Sequence, residues 1–165
     1  MNYFELFLLP KQFQIDIKIL NKNYYKLQLK FHPDLFINNS KYKQNQILEK
    51  SIEINKGYEI LKNSLNRSIY LLSLNGINTQ QKNLLSDNPS FLKKYFFLYE
   101  ELESIKTKNN LTITHIDKFL KKIKYEIKYC ENKINYAFNE KKWNKVIYRI
   151  SQLRFLNKIL INLKK

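Results

Sequence analysis

The chain has little with which to turn or staple a backbone. Of its 165 residues only Gly57 and Gly76 are glycine, Pro10, Pro33 and Pro89 are the prolines, and Cys130 is the one cysteine. Few tight turns can be built from that set, which favours long helices over a many-stranded sheet. One cysteine excludes an internal disulfide and a CxxC zinc knuckle, and fits a reducing compartment. His32 and His115 are the only histidines, so a histidine-rich metal site is excluded. There is no GxxxxGK[ST] loop, and two isolated glycines make no other phosphate cradle, so the chain is not expected to bind and hydrolyse ATP itself. No apolar run approaches the ~20 residues needed to cross a bilayer. The start, MNYFELFLLPKQ, lacks a basic n-region and carries Glu5, and its apolar run is too short for a signal peptide. These absences lead us to expect a soluble intracellular protein with no membrane partner, no cofactor and no bound metal.

Positive charge is abundant. The formal net charge is +16. Residues 1–76 carry 11 basic and 6 acidic side chains, and residues 77–165 carry 19 and 8. Such an excess fits nucleic acid or an acidic partner. It equally fits the joint enrichment in Lys, Asn, Ile and Tyr that a strongly A/T-biased genome produces without selection for a partner. Lysine heavily outnumbers arginine, whereas readers of bases lean on arginine forks. Nucleic acid is therefore the less favoured partner.

Periodicity predicts helices throughout. A short first helix covers Tyr3 to Leu9 and is stopped by Pro10. Asp16 is a candidate N-cap for a second, which runs to about Phe31. Leu20, Tyr24, Leu27 and Phe31 form its apolar stripe, and Lys22, Lys26 and Lys30 a basic stripe on another face. Pro33 pushes His32 to extended geometry and ends the helix. Asn38-Asn39-Ser40 is loop chemistry. A third helix follows from about Lys41 to Lys62, with Leu48, Ile52, Tyr58 and Leu61 as inward candidates and Asn55 between them. A shorter helix from Asn66 to Leu74 ends at Gly76, a natural C′ residue.

The polar segment GINTQQKNLLSDN reads as a joint between two regions, so that the domains are 1–76, a joint at 77–89, and 90–165. Ser90 is a candidate cap for a helix to about Lys106, which Asn109-Asn110 breaks. Long helices are expected over Thr114–Asn139 and Lys142–Leu163. Ile116, Phe119 or Leu120, Ile123, Ile127, Cys130, Ile134 and Phe138 are the inner stripe of the first. Val146, Ile150, Leu153 and Leu156 or Leu160 are that of the second. Three helices with short connections make an antiparallel bundle. The fold class is all-α.

The stretch LKFHPDLF, residues 29–36, is the most distinctive. His32 and Asp34 lie two apart across a rigid proline, at the tip of an antiparallel helical hairpin. A charge-oriented catalytic histidine needs a third group to act upon, and no nucleophile is suggested nearby. A rigid tip suits recognition instead, because docking costs it little entropy. An isolated exposed loop histidine is the plainer reading of the tripeptide, and the helix, lysine stripe and proline around it favour a site.

LNKNYYKLQLKFHPDLF resembles helix two and the signature loop of the J domain of DnaJ-type co-chaperones. Further segments narrow the likeness: NYFELFLLP, SIEINKGYEILKNSLNRSIYLLSLNGI, FLKKYFFLYEELESI and LRFLNKI resemble HscB, the J-type co-chaperone family of iron–sulfur cluster assembly. The likeness covers essentially the whole chain. It implies an N-terminal J domain and a C-terminal three-helix bundle. It implies further that the J domain stimulates a DnaK-type ATPase, HscA in bacteria, and that the bundle binds the scaffold protein IscU. On this resemblance His32, Pro33 and Asp34 are the stimulating signature, and Lys22, Lys26 and Lys30 meet an acidic face of the ATPase. Leu92, Phe96, Glu100 and Phe155 fall on the scaffold-binding patch.

Some positions depart from the family. Leu35 stands where many J domains carry Lys or Arg, removing one charge from the docking face. Lys93, Phe97 and Ser104 stand where the family often shows a second apolar residue and acidic residues. From periodicity alone Leu92, Phe96 and Phe155 read equally as core or as patch. Phe91 and Leu98, on other faces, read as core. Cys130 reads as a small buried side chain, since a cluster needs several thiolates. His115 reads as structural or solvent-exposed, and Trp143 as packing at a helix end. Two alternatives stay open: a J protein with another client, and a basic helical nucleic-acid binder, whose binding would fall steeply with salt.

Overall fold

The computed structural model describes residues 1–79, 89–107 and 113–164. Among them there are seven α-helices, one 3-10 turn and no strand. The chain divides into two compact units, residues 1–71 and 72–165. The joint expected at 77–89 falls largely outside the described residues, as does the break at Asn109-Asn110.

In the first unit, α1 (Tyr3–Leu6) opens with a capping box: the Asn2 side chain accepts the Glu5 N–H, and the Glu5 carboxylate accepts the Asn2 N–H. The helix was expected to reach Leu9. It stops at Leu6 instead, because Leu8 takes a left-handed φ of 56° and turns the chain before Pro10 arrives. The turn buries Phe7, Leu9 and Phe13 with Phe4 and Leu6. Gly57 of the third helix receives this segment. A Cβ there would meet the Tyr3 ring at 2.6 Å, so only glycine lets α1 approach so closely.

Helix α2 (Ile17–Phe31) starts on the Asp16 carboxylate, which accepts the N–H of Lys18 at 2.9 Å. Leu20 is fully buried, and Tyr24, Leu27 and Phe31 are half-buried on the same face. Helix α3 (Lys41–Lys62) starts on Ser40, whose hydroxyl accepts the Lys43 N–H. Its inner stripe differs from the one expected. Leu61 is buried as expected, but Leu48 and Ile52 are 48% and 57% exposed, and Ile47, Ser51, Ile54 and Gly57 are buried in their stead. The inward face lies one residue away from the apolar pattern because serine and glycine occupy two of its positions. They fit there by being small and carry no hydrophobic signal.

Helix α4 (Ser64–Leu74) carries Arg67, a buried cation that sequence reasoning passed over. Its guanidinium donates to Phe13 O at 2.7 Å and Leu61 O at 2.6 Å and lies over the Phe13 ring. Charge-assisted bonds to these two carbonyls offset its desolvation. Gly76, with φ +76°, closes α4: its N–H donates to Ser73 O, and the Ile77 N–H donates to Leu72 O.

The second unit contains α5 (Pro89–Thr107), α6 (Ile113–Asn139) and α7 (Trp143–Lys164). Pro89 is the first helical residue of α5, so Ser90 lies inside the helix rather than capping it. Proline's fixed φ suits that position, and its missing N–H costs nothing there. Phe91, Leu98 and Leu102 of α5 are buried, as are Phe119, Ile123, Cys130, Ile134 and Ala137 of α6. Val146, Ile147, Ile150, Leu153, Leu156 and Ile159 of α7 complete the core. Ala137 holds an inner position expected of Phe138, whose half-buried ring packs against Trp143 instead. Ile116, also expected inside, is exposed near the start of α6. Lys94–Glu126 at 2.9 Å and Lys122–Glu101 at 3.1 Å join α5 to α6 at the surface.

Candidate functional site

Two surfaces carry the residues singled out from the sequence, one in each unit. The first is the tip of the α2–α3 hairpin. His32 is extended (φ −67°, ψ 130°), as its place before proline demands. The structure adds what the sequence did not suggest: Pro33–Phe36 forms a 3-10 turn that His32 caps. The Asp34 N–H donates to His32 Nδ1 at 3.2 Å, and the Leu35 N–H donates to His32 O at 3.0 Å. Because Nδ1 accepts, the proton of the neutral ring sits on Nε2. The Asp34 carboxylate lies 3.6 Å from the same Nδ1, too far for a hydrogen bond. Both side chains face solvent, 51% and 82% exposed. An oriented imidazole and a free carboxylate are thus displayed side by side.

The hairpin behind the tip is set by polar and aromatic contacts as much as by apolar burial. The Tyr24 and Tyr58 rings stack with centroids 3.9 Å apart. Asn55 Oδ1 accepts from the Tyr24 hydroxyl at 2.8 Å and from the Gln28 amide. The Tyr58 hydroxyl donates to Asn21 Oδ1 at 2.8 Å. These bonds pair the middle of α2 with the latter half of α3 in one antiparallel register. Asn55 has no role that can be read from the sequence; a lone polar residue between inward candidates carries no signal of its partner.

Lys22, Lys26 and Lys30 are exposed along α2, and among the described residues none of the three is in an ion pair. Lys30 alone has a further contact, its ammonium lying 5.3 Å from the Phe31 ring centroid. The stripe therefore presents uncompensated charge beside the tip. Leu35 is exposed too, so it adds apolar area there and no charge.

The second surface lies on the bundle. Leu92 is half-buried and Phe96 is 64% exposed, four residues apart on one face of α5. Glu100 continues that line one turn on and is exposed. Phe155 of α7 is half-buried and packs against Phe91 and Tyr95, the latter standing between Leu92 and Phe96 in sequence. Burial, and the hydrogen bond with Tyr99, push the Tyr95 phenol upward, so it stays protonated. Phe97 is 60% exposed and Lys93 is exposed, so both departures from the family pattern are solvent-facing; Ser104 is half-buried.

Cys130 is buried beneath this region. Its thiol donates to Arg149 O at 3.0 Å, and burial pushes it up to about 12, against a smaller downward pull from Arg149. Such a thiol is protonated and inert. His115 is exposed in the first turn of α6. Among the described residues no three His, Cys, Asp or Glu side chains converge as a metal site.

Comparison with known proteins follows the same division. Residues 2–70 match the DnaJ domain, and residues 87–164 match the HSCB C-terminal oligomerisation domain. The co-chaperone protein HscB of Buchnera aphidicola is 52% identical over 165 residues, covering all of this chain and 94% of its own. The solved structure of chaperone HscB from Vibrio cholerae superposes with a TM-score of 0.88 at 32% identity, over 99% of this chain and 96% of that one. Human co-chaperone protein HscB, at 22% identity, shares the fold with a TM-score of 0.89 over 99% of this chain and 81% of its own. An N-terminal J domain with an exposed HPD turn, a C-terminal helical bundle and full-length identity above half place this chain in the HscB family of J-domain co-chaperones.

Proposed function

We propose that this co-chaperone stimulates ATP hydrolysis by a DnaK-type partner, HscA-like, and brings to it the iron–sulfur scaffold protein IscU. The observation that carries the reading is the displayed His32–Asp34 pair: exposed, oriented by its own backbone, and flanked by three exposed lysines of α2. The pair is displayed to solvent on an exposed turn rather than enclosed by the fold. It suits docking on a partner that holds the ATP. The protein is on this reading an adaptor rather than an enzyme, working in the cytoplasm.

The bundle supplies the second half. Leu92 and Phe96 leave apolar surface open on α5, with Phe155 close by and Glu100 at the edge. Exposed apolar area rimmed by charge is a common form of partner site. One chain that holds both partners raises the effective concentration of each for the other. The test is the steady-state ATPase rate of the DnaK-type partner, alone and with this protein, IscU, or both. The two together should stimulate more than either alone.

A further inference from the structure

From Asn21 to Gln46 no side chain is fully buried; the nearest core residues are Leu20 before and Ile47 after. That stretch contains the whole hairpin tip. Apolar packing at the turn that displays His32 and Asp34 is limited to half-buried side chains such as Phe31 and Phe36, so polar contacts share in fixing it. Gln44, half-buried in the first turns of α3, supplies two. Its Nε2 donates to Ile37 O at 2.8 Å and to Asn39 O at 3.1 Å. Only the nitrogen end of the amide can face two carbonyls, and both of its hydrogens are used. Both acceptors belong to the segment leaving the 3-10 turn, where Asn39 N–H also donates to Phe36 O at 3.0 Å. Ile37 is 68% exposed, so no side chain at that point anchors the segment. The middle of α2, which leads to the turn, is tied to α3 through Asn55, and the exit from the turn is tied to it through Gln44.

We propose that Gln44 is a positioning residue for ATPase stimulation: its amide staples the exit of the His32–Asp34 turn to α3, so that the turn meets the partner in one conformation. The inference rests on the co-chaperone reading above and adds to it a residue that does not touch the partner. Its loss has a defined signature. A tip freed from the staple is competent for only a fraction of the time, and the apparent affinity falls by that fraction, whereas stimulation at saturation is kept. Two neutral hydrogen bonds bias such an equilibrium by about tenfold, which is the most by which the apparent affinity can fall.

The experiment titrates the full chain into the DnaK-type ATPase, with wild type, Gln44→Met, Gln46→Met and His32→Gln compared. Methionine keeps the length of glutamine without its donors. Gln46, whose amide donates to the exposed Tyr42 hydroxyl on the same helix, is the control. Gln44→Met should raise the half-saturating concentration, by at most about tenfold, with unchanged maximal stimulation, speed hydrogen exchange of the Asn39 amide, and lower the melting temperature by no more than about 8 °C. Gln46→Met should behave as wild type. If Gln44→Met titrates like wild type while His32→Gln is inactive, the staple is overturned and the co-chaperone reading stands. A large drop in melting temperature for Gln44→Met would make it a fold residue and overturn the inference as well. Full stimulation by His32→Gln would overturn the reading itself, and the staple with it.

Discussion

The backbone N–H of Asp34 donates to Nδ1 of His32, so the signature turn takes part in orienting its own imidazole. Both side chains are otherwise exposed, and neither supports the core. Exchanging His32 for Gln or Asp34 for Asn should therefore leave thermal melting almost unmoved, within about ±0.5 kcal/mol, as surface changes usually are. A melt and a far-UV spectrum on each variant check this. Unfolding of either would make the pair structural.

The lysine stripe makes a different claim. Lys22, Lys26 and Lys30 are exposed with no ion-pair partner among the described residues, so their charge is available to a docking partner. Reversing Lys26 to Glu should raise the concentration needed for half-maximal ATPase stimulation. Added salt should do the same to the wild type, because exposed charges are screened beyond ~8–10 Å at ordinary ionic strength. Stimulation that ignores salt would count against charge-steered docking.

On the bundle, Leu92 is half-buried and Phe96 mostly exposed, which sets the expected cost of truncating them. Core substitutions of this size cost about 2–5 kcal/mol each. The Leu92→Ala, Phe96→Ala double variant should lose far less than that and still bind the scaffold poorly. An IscU titration and a melt on the same sample decide the matter. Full binding would remove the patch from the account, and a collapse in stability would assign it to the core.

Cys130 gives the bundle a dependence on pH. Its thiol is held at about 12 by burial, against an ordinary value of 9.0. The unfolded chain therefore loses this proton first as pH rises, and the folded state keeps it. Stability from this group is complete below pH 9 and is lost between there and about 12, by about 1.4 kcal/mol per pH unit at most. Cys130→Ser keeps a donor for Arg149 O and does not titrate in this window. The difference between wild-type and variant stability should shrink across that window. A difference that stays flat with pH would show the thiol to be ordinary.

Much of this molecule can be read without coordinates. Helices α2 and α3 begin and end where Asp16, Pro33 and Ser40 dictate, because caps and prolines act locally. Gly76 closes α4 for the same reason. Where the reading fell short, the deciding contact was distant in sequence. The inner face of α3 runs through Ser51 and Gly57, both invisible to a hydrophobic pattern, and Gly57 is where α1 makes its close approach. Arg67 is buried because carbonyls 54 and 6 residues away accept its protons. At the candidate site, His32, Pro33 and Asp34 were legible as a string. The 3-10 turn, the Nδ1 bond and the two polar ties to α3 were not, since Gln44 and Asn55 look like ordinary helix-surface residues. Leu92 and Phe96 could be settled only by burial, for helical spacing is the same in a core and in a patch.

The central claim is that the His32–Asp34 turn drives a partner's ATP hydrolysis. The most direct measurement is the steady-state ATPase rate of the DnaK-type partner with saturating wild-type protein or His32→Gln. The account predicts clear stimulation by the wild type and none by the variant, with both equally folded. Equal stimulation by the two would contradict it.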